Sequence, residues 1–277
     1  MLRERTWSER VSLGRQLDDH DKEIEDRIFE KYAELRIVKG LCRECNVPRD
    51  INDGFPVSFF VVGKDFRKQE SRVMFVGKTV QSGWEEVCIK NRVSGFWDAR
   101  MYGREGLFLA SWSSGPFWQS IREICERLWE INNPEDMWRR IAITNLVKCS
   151  TSRDLDRTPL ELKMNCIQRA GFFQEEVKII KPTHMILFTG PNYDEYLREL
   201  TFGYNPSEVY PIDISVEGKK IVPFRGANEW LERDFLEGDK IKMRFLRTYH
   251  PSFYRNAGDK EQFCQHIALW IKGESKT

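Results

Sequence analysis

The sequence predicts an α/β protein, a three-layer α/β/α sandwich around a mainly parallel central sheet. Three observations carry that expectation. Strand-like segments recur at 72–77, 138–147, 183–190 and 242–249, and the continuous apolar run at 72–77 suits a strand buried on both faces. Segments with apolar residues at helical spacing lie between and after them, so strands and helices alternate. Polar residues follow three of the runs directly, at Gly77-Lys78-Thr79, Thr144-Asn145 and His250-Pro251-Ser252. In a parallel sheet those carboxyl ends gather on one edge, where ligand sites form.

Taken in order, residues 11–38 carry Ile24, Ile28, Tyr32 and Leu35 at helical spacing and read as an amphipathic helix. A C-x2-C turn follows at Cys42 and Cys45. Residues 57–62 form a short strand, and 72–77 a second one closed by Gly77. Residues 87–106 show no period and read as a long loop. Ser113-Ser114-Gly115-Pro116 starts a helix, with Pro in its first turn and Phe117, Ile121, Ile124, Cys125 and Leu128 as its buried stripe. The strand at 138–147 leads into Lys148-Cys149. Thr158-Pro159-Leu160-Glu161 is a capping box that opens a helix running to about 180 and carrying Cys166. His184 stands at the start of the next strand and reads as structural. A short helix at 192–200, a hairpin of 209–214 with 219–224, the strand at 242–249 and a covering helix at 260–271 complete the chain.

The chain has 277 residues, 40% of them apolar and 31% charged, with a net charge of +1. That composition suits a globular domain with a sizeable core and argues against disorder. No apolar run spans a bilayer, so no membrane partner is expected. Met1-Leu2-Arg3-Glu4-Arg5 opens no signal-peptide pattern. The expected location is cytoplasmic or nucleoid-associated, not secreted, and the expected state a monomer. In that setting the seven cysteines are available to metal rather than to disulfides. The organisation reads as an N-terminal helical extension at 1–40 and a main domain at 41–272, with insertions near 87–106 and 201–240.

With these residues in order, the chain resembles the uracil-DNA glycosylase superfamily, and within it the iron–sulfur branches. Thr144-Asn145-Leu146-Val147-Lys148-Cys149 is similar to the family's T-N-x-V-K-C segment. Arg157, Pro159, Glu161 and Cys166 resemble its R-x-P-x-x-E-x-x-x-C continuation, with Glu161 one place nearer Pro159. His250-Pro251-Ser252 resembles its final H-P-S motif, and Cys42 with Cys45 its C-x2-C. Spacing alone fits zinc as well as iron–sulfur. The resemblance implies a [4Fe–4S] cluster on Cys42, Cys45, Cys149 and Cys166, with Zn as the alternative, and leaves Cys88 and Cys264 unligated.

The implied activity is that of a monofunctional hydrolase in base excision repair. It would flip a nucleotide out of DNA and hydrolyse the N-glycosidic bond of uracil or a related deaminated base. The flipped base must be read, stacked and relieved of the negative charge it acquires on leaving. The Asn145 amide offers one acceptor and one donor, matching uracil N3–H and O4. Phe108, in Gly106-Leu107-Phe108, is the expected stacking ring, and Phe96 competes with it. His250 is the expected donor to uracil O2. Gly77 and Lys78 stand beside the base pocket, and Ser252 or Arg255 is placed to hold a phosphate. Phe253 or Tyr254 is the expected wedge. The first motif departs from the family: Lys78 stands where the iron–sulfur branches have an acid. Glu85 is the nearest replacement carboxylate, and Gln81 an uncharged group to position water. Lys78 therefore also supports an alternative, a non-catalytic member of the same fold that binds nucleic acid or a nucleotide. A zinc-stabilised α/β interaction protein is a third expectation.

Overall fold

A computed structural model of the chain describes residues 20–34, 61–79, 115–131, 134–148, 158, 160–197, 215–216, 219–220, 230–237, 240–254 and 256–273. A mixed sheet of six strands organises them. In chain order these are β1 (Val61–Val62), β2 (Val73–Gly77), β3 (Ala142–Asn145), β4 (His184–Phe188), β7 (Leu231–Glu237) and β8 (Lys240–Thr248). Their spatial order is β1-β3-β2-β4-β8-β7. The four inner strands pair in parallel, with Gly77 opposite Asn145 and Val76 opposite Leu187. Both outer pairs, β1 with β3 and β7 with β8, are antiparallel. A separate two-stranded ribbon joins β5 (Ser215–Val216) to β6 (Lys219–Lys220).

Alternation along β2 sorts the side chains into two apolar clusters. Met74 and Val76 belong to one, with Ile28 and Tyr32 of α1 (Lys22–Glu34) and Phe173 and Val177 of α5 (Phe172–Ile180). Val73 and Phe75 belong to the other, with Ile121 and Ile124 of α2 (Pro116–Trp129) and Phe263 and Ile267 of α7 (Ala257–Lys272). Each such side chain, fully buried, contributes roughly 1.5–3 kcal/mol of transfer free energy. Among the described residues, no helix is long and apolar enough to cross a membrane.

The helix ends follow local chemistry. Pro116 is the first residue of α2, where its missing N–H costs nothing. Asn256 caps α7 by accepting from the Asp259 amide at 2.7 Å, and Gly273 closes it at φ +78°. The helix expected from Thr158 to Ile180 is interrupted. It begins as α4 (Leu160–Lys163), widens into a π-helical stretch at Met164–Arg169, and breaks at Gly171, whose φ is +66°. That left-handed backbone suits glycine, and α5 starts directly after it.

Further expectations need correction. The strand expected from Trp138 starts at Ala142, because Pro134–Trp138 forms a helical turn, α3. Strand β7 lies inside the stretch read as an insertion at 201–240, yet it joins the main sheet. Its Asp234 faces Arg244 across the β7–β8 pair. Of the expected hairpin, Lys219–Lys220 is described as β6 and pairs with β5 at Ser215–Val216; 209–214 and 221–224 lie outside the described residues. The helix expected at 192–200 appears as a 3-10 turn, Pro191–Tyr193, followed by α6 (Asp194–Leu197).

Candidate functional site

The carboxyl ends of β2, β3 and β8 carry the polar residues that the sequence singled out. Gly77 and Asn145 end neighbouring parallel strands and are paired in register. The two chains stay joined beyond the sheet: the Leu146 amide donates to the Gly77 carbonyl and the Val147 amide to the Lys78 carbonyl, both at 2.9 Å. The Asn145 side chain folds over Gly77. A Cβ on residue 77 would clash with Asn145 Oδ1 and would lie 3.3 Å from the Phe117 ring. Glycine lets a side-chain amide lie where a Cβ would crowd it.

Phe117, in the first turn of α2, links this corner to the end of β8. Its ring stacks on His250 with centroids 6.0 Å apart and 13° between planes. His250 is half-buried and caps the short Pro251–Phe253 turn. The Ser252 amide donates to His250 Nδ1 at 3.3 Å, and Ser252 Oγ lies 2.8 Å from the same atom. A ring nitrogen that accepts from an amide bears no proton, so Nε2 is the protonated nitrogen and the donor of this imidazole. Thr189 ends β4 between these two corners. Its hydroxyl is buried and has no hydrogen-bond partner among the described residues.

Beneath Asn145 lies a buried polar network that the sequence reading missed. The Lys148 ammonium donates to the Asn145 carbonyl at 2.6 Å, to Thr144 Oγ1 at 2.7 Å and to the Glu176 carboxylate at 2.7 Å. Glu176 also accepts from Thr144 Oγ1 at 2.8 Å and from the Tyr32 hydroxyl. All four side chains are buried. Burial lowers the Lys148 pKa against the opposing pull of Glu176. The network therefore ties the loop after β3 to α1 and α5. A lysine inside the run Leu146-Val147-Lys148-Cys149 was the available signal, since a buried ammonium demands partners.

On the face of the first apolar cluster, Lys78 opens into a cleft of about 550 Å³ shared with Thr158, Lys163, Tyr193 and Asn192. The Tyr193 hydroxyl donates to Thr158 Oγ1 at 2.6 Å, and burial raises its pKa to about 12. The Lys163 ammonium lies 4.7 Å from the Tyr193 ring centroid and 5.3 Å from that of Tyr196.

The structure brings Gly77, Asn145 and His250 to one edge, with Ser252 holding the histidine, and it places Lys78 next to them. It adds Phe117, which the sequence reading placed on the buried stripe of its helix. Of the expected wedges, Phe253 stacks on Tyr249 at 4.4 Å. Tyr254 is buried against Phe263 and accepts from Trp230 Nε1 at 3.1 Å, which corrects its assignment as a wedge. His184 packs on Trp270 at the opposite end of β4. Gln81, Glu85, Phe96, Phe108 and Arg255 lie outside the described residues, as do Cys42, Cys45 and Cys149. Cys166 is described: its thiol is buried in the π-helical turn, on the face that holds Lys148. No protein-family model matches the chain, and no curated protein matches it.

Proposed function

We propose that the chain is a uracil-DNA glycosylase-like hydrolase, built as a three-layer α/β/α sandwich, that releases uracil or a related deaminated base from DNA. The observation that carries this reading is the meeting of Asn145, Phe117 and His250 over Gly77 at the sheet's carboxyl edge. The helices gathered in two apolar clusters on alternate residues of β2 support the sandwich.

Each group then has a task. The Asn145 amide reads the base through one donor and one acceptor. Its loop is fixed from below by Lys148, so the amide meets the base with little reorganisation. The Nε2–H of His250 donates to the carbonyl oxygen on which charge builds as the base leaves, and a neutral ring suffices. Phe117 joins Phe108 as a candidate stacking ring. Gln81 and Glu85 remain the proposed groups for positioning water. Cys42, Cys45, Cys149 and Cys166 would hold a [4Fe–4S] cluster, with Zn as the alternative; either would fasten the loop that carries Asn145. The Cys166 thiol is buried in the π-helical turn, on the face that holds Lys148. The protein would work as a monomer in the cytoplasm or on the nucleoid.

The test is an abasic-site assay on single-stranded and mismatched oligonucleotides with uracil and other deaminated bases. Abasic product is expected with at least one base. Replacing Asn145 or His250 by Ala is expected to slow release ~10²–10³-fold, the usual effect of losing one pre-placed hydrogen bond to a developing charge. No product at stoichiometric protein would refute the hydrolase. A second reading, a nucleic-acid or nucleotide binder without catalysis, is favoured by Lys78, whose ammonium opposes the positive charge that the sugar develops. Tight binding of the same oligonucleotides without product is the outcome it expects.

A further inference from the structure

The cleft that Lys78 opens into has no place in the reaction described above, and its chemistry is distinct. Lys163 is half-buried in its wall, over two tyrosine rings. Among the described residues, no carboxylate lies within ion-pair distance of its ammonium. Its hydrogen bond is a long one, 3.4 Å to the Asn192 carbonyl. Burial accordingly lowers its pKa, with Glu195 pulling the other way. A desolvated cation of this kind is stabilised by whatever anion enters the cleft.

The other walls suit an oxyanion. Thr158 Oγ1 accepts from Tyr193, which leaves its own hydrogen to donate. Lys78 adds a second ammonium at the end of β2, and Glu195 is the carboxylate in the wall among the described residues. Three loops supply these residues, those after β2, β3 and β4, so the cleft lies on the same edge as Asn145. Leu160 stands in its wall and is 61% exposed. It is the large apolar side chain left in solvent among the described residues. An apolar group beside two ammonium groups suits a sugar or base attached to the phosphate better than it suits a free ion.

We infer that this cleft is a phosphate site in which Lys163 and Lys78 supply the charge and Thr158 the hydrogen bond. The phosphate belongs to the strand whose base reaches Asn145. Only the second statement rests on the nucleic-acid reading. Lys163 then acts as a strand clamp, setting register on the side of the sheet edge away from His250.

Two measurements separate the site from its source. In the first, affinity for a fluorescent single-stranded oligonucleotide is followed against potassium chloride. One phosphate contact contributes about 0.7 to the slope of log affinity on log salt, so Lys163→Gln and Lys78→Gln should each flatten it, and the double replacement by about that amount. Lys163→Arg, which keeps the charge, should restore it. In the second, inorganic phosphate is titrated at constant ionic strength and followed by 31P line broadening. Broadening is expected with the wild type and not with Lys163→Gln. Broadening lost in Lys163→Gln while the oligonucleotide slopes stay unchanged supports the site and overturns the strand as its source. A Lys163→Gln protein that matches the wild type in both measurements overturns the site. The abasic-site assay on the wild type is read separately: flattened slopes without abasic product leave the clamp standing and remove the hydrolase.

Discussion

At Gly77 one hydrogen atom in place of a methyl group decides where an amide can lie. The Asn145 oxygen occupies the space that a Cβ would take. Since the obstructing atom is the end of a side chain that can turn aside, Gly77→Ala should keep the fold, at about 1–3 kcal/mol for overpacking. The same methyl should displace the amide and lower base release about as much as Asn145→Ala. Urea midpoints and abasic-product rates, measured together, check this; a Gly77→Ala protein with wild-type rates would show that the amide is not where the base is read. Asn145 and His250 were legible in the sequence because a polar residue ending an apolar run stands out. Phe117 was not. An aromatic residue four places before Ile121 has the spacing of any core position, and only its stack on His250 distinguishes it. The partner of Lys148 was equally hidden, since Glu176 lies 28 residues along the chain.

Between elements, the Lys148–Glu176 pair joins β3 to α5 inside the core. Removing one partner strands the other charge, so Lys148→Met should cost about 3–5 kcal/mol. The double replacement Lys148→Met/Glu176→Leu should lose less than the sum of the single losses, as a double-mutant cycle by urea denaturation would show. Strand β4 carries a second, pH-dependent contribution. Burial against Trp270, with Arg244 nearby, lowers the pKa of His184 to about 4 from 6.5. Between these values the unfolded chain binds a proton that the folded chain does not, so stability falls as pH drops from about 6.5 towards 4. His184→Gln should flatten that part of the profile in urea melts at pH 7, 5.5 and 4.5. The inner strands β2 and β4 were readable as apolar runs because both their faces are buried. Strand β7 was not, because it closes the sheet with carboxylates: Glu232 and Asp234 meet Arg244 at 2.9 and 3.4 Å. Nor was the π-helical turn. Its Asn165, Cys166 and Ile167 are all buried, a condition set by tertiary packing rather than by the capping box that precedes it.

Across the whole molecule, the alternating order of strands and helices gave an α/β protein, and a six-stranded mixed sheet is what forms. Local pattern does not record strand direction, so the antiparallel pairs at both edges had no signature in the apolar runs. The convergence of three polar strand ends on one edge follows from the parallel inner pairs, and from it follows the proposed chemistry. The network under Asn145 has one more consequence. Tyr32 belongs to the helix that the sequence sets apart as an N-terminal extension, yet its hydroxyl holds the carboxylate that holds Lys148, whose ammonium holds the carbonyl of Asn145. The helix is therefore no detachable module. A shortened protein beginning at residue 41 would forfeit the outermost link of a relay that ends at the loop carrying Asn145, and a graft of the remaining domain onto another N-terminus would inherit that loop without its anchor.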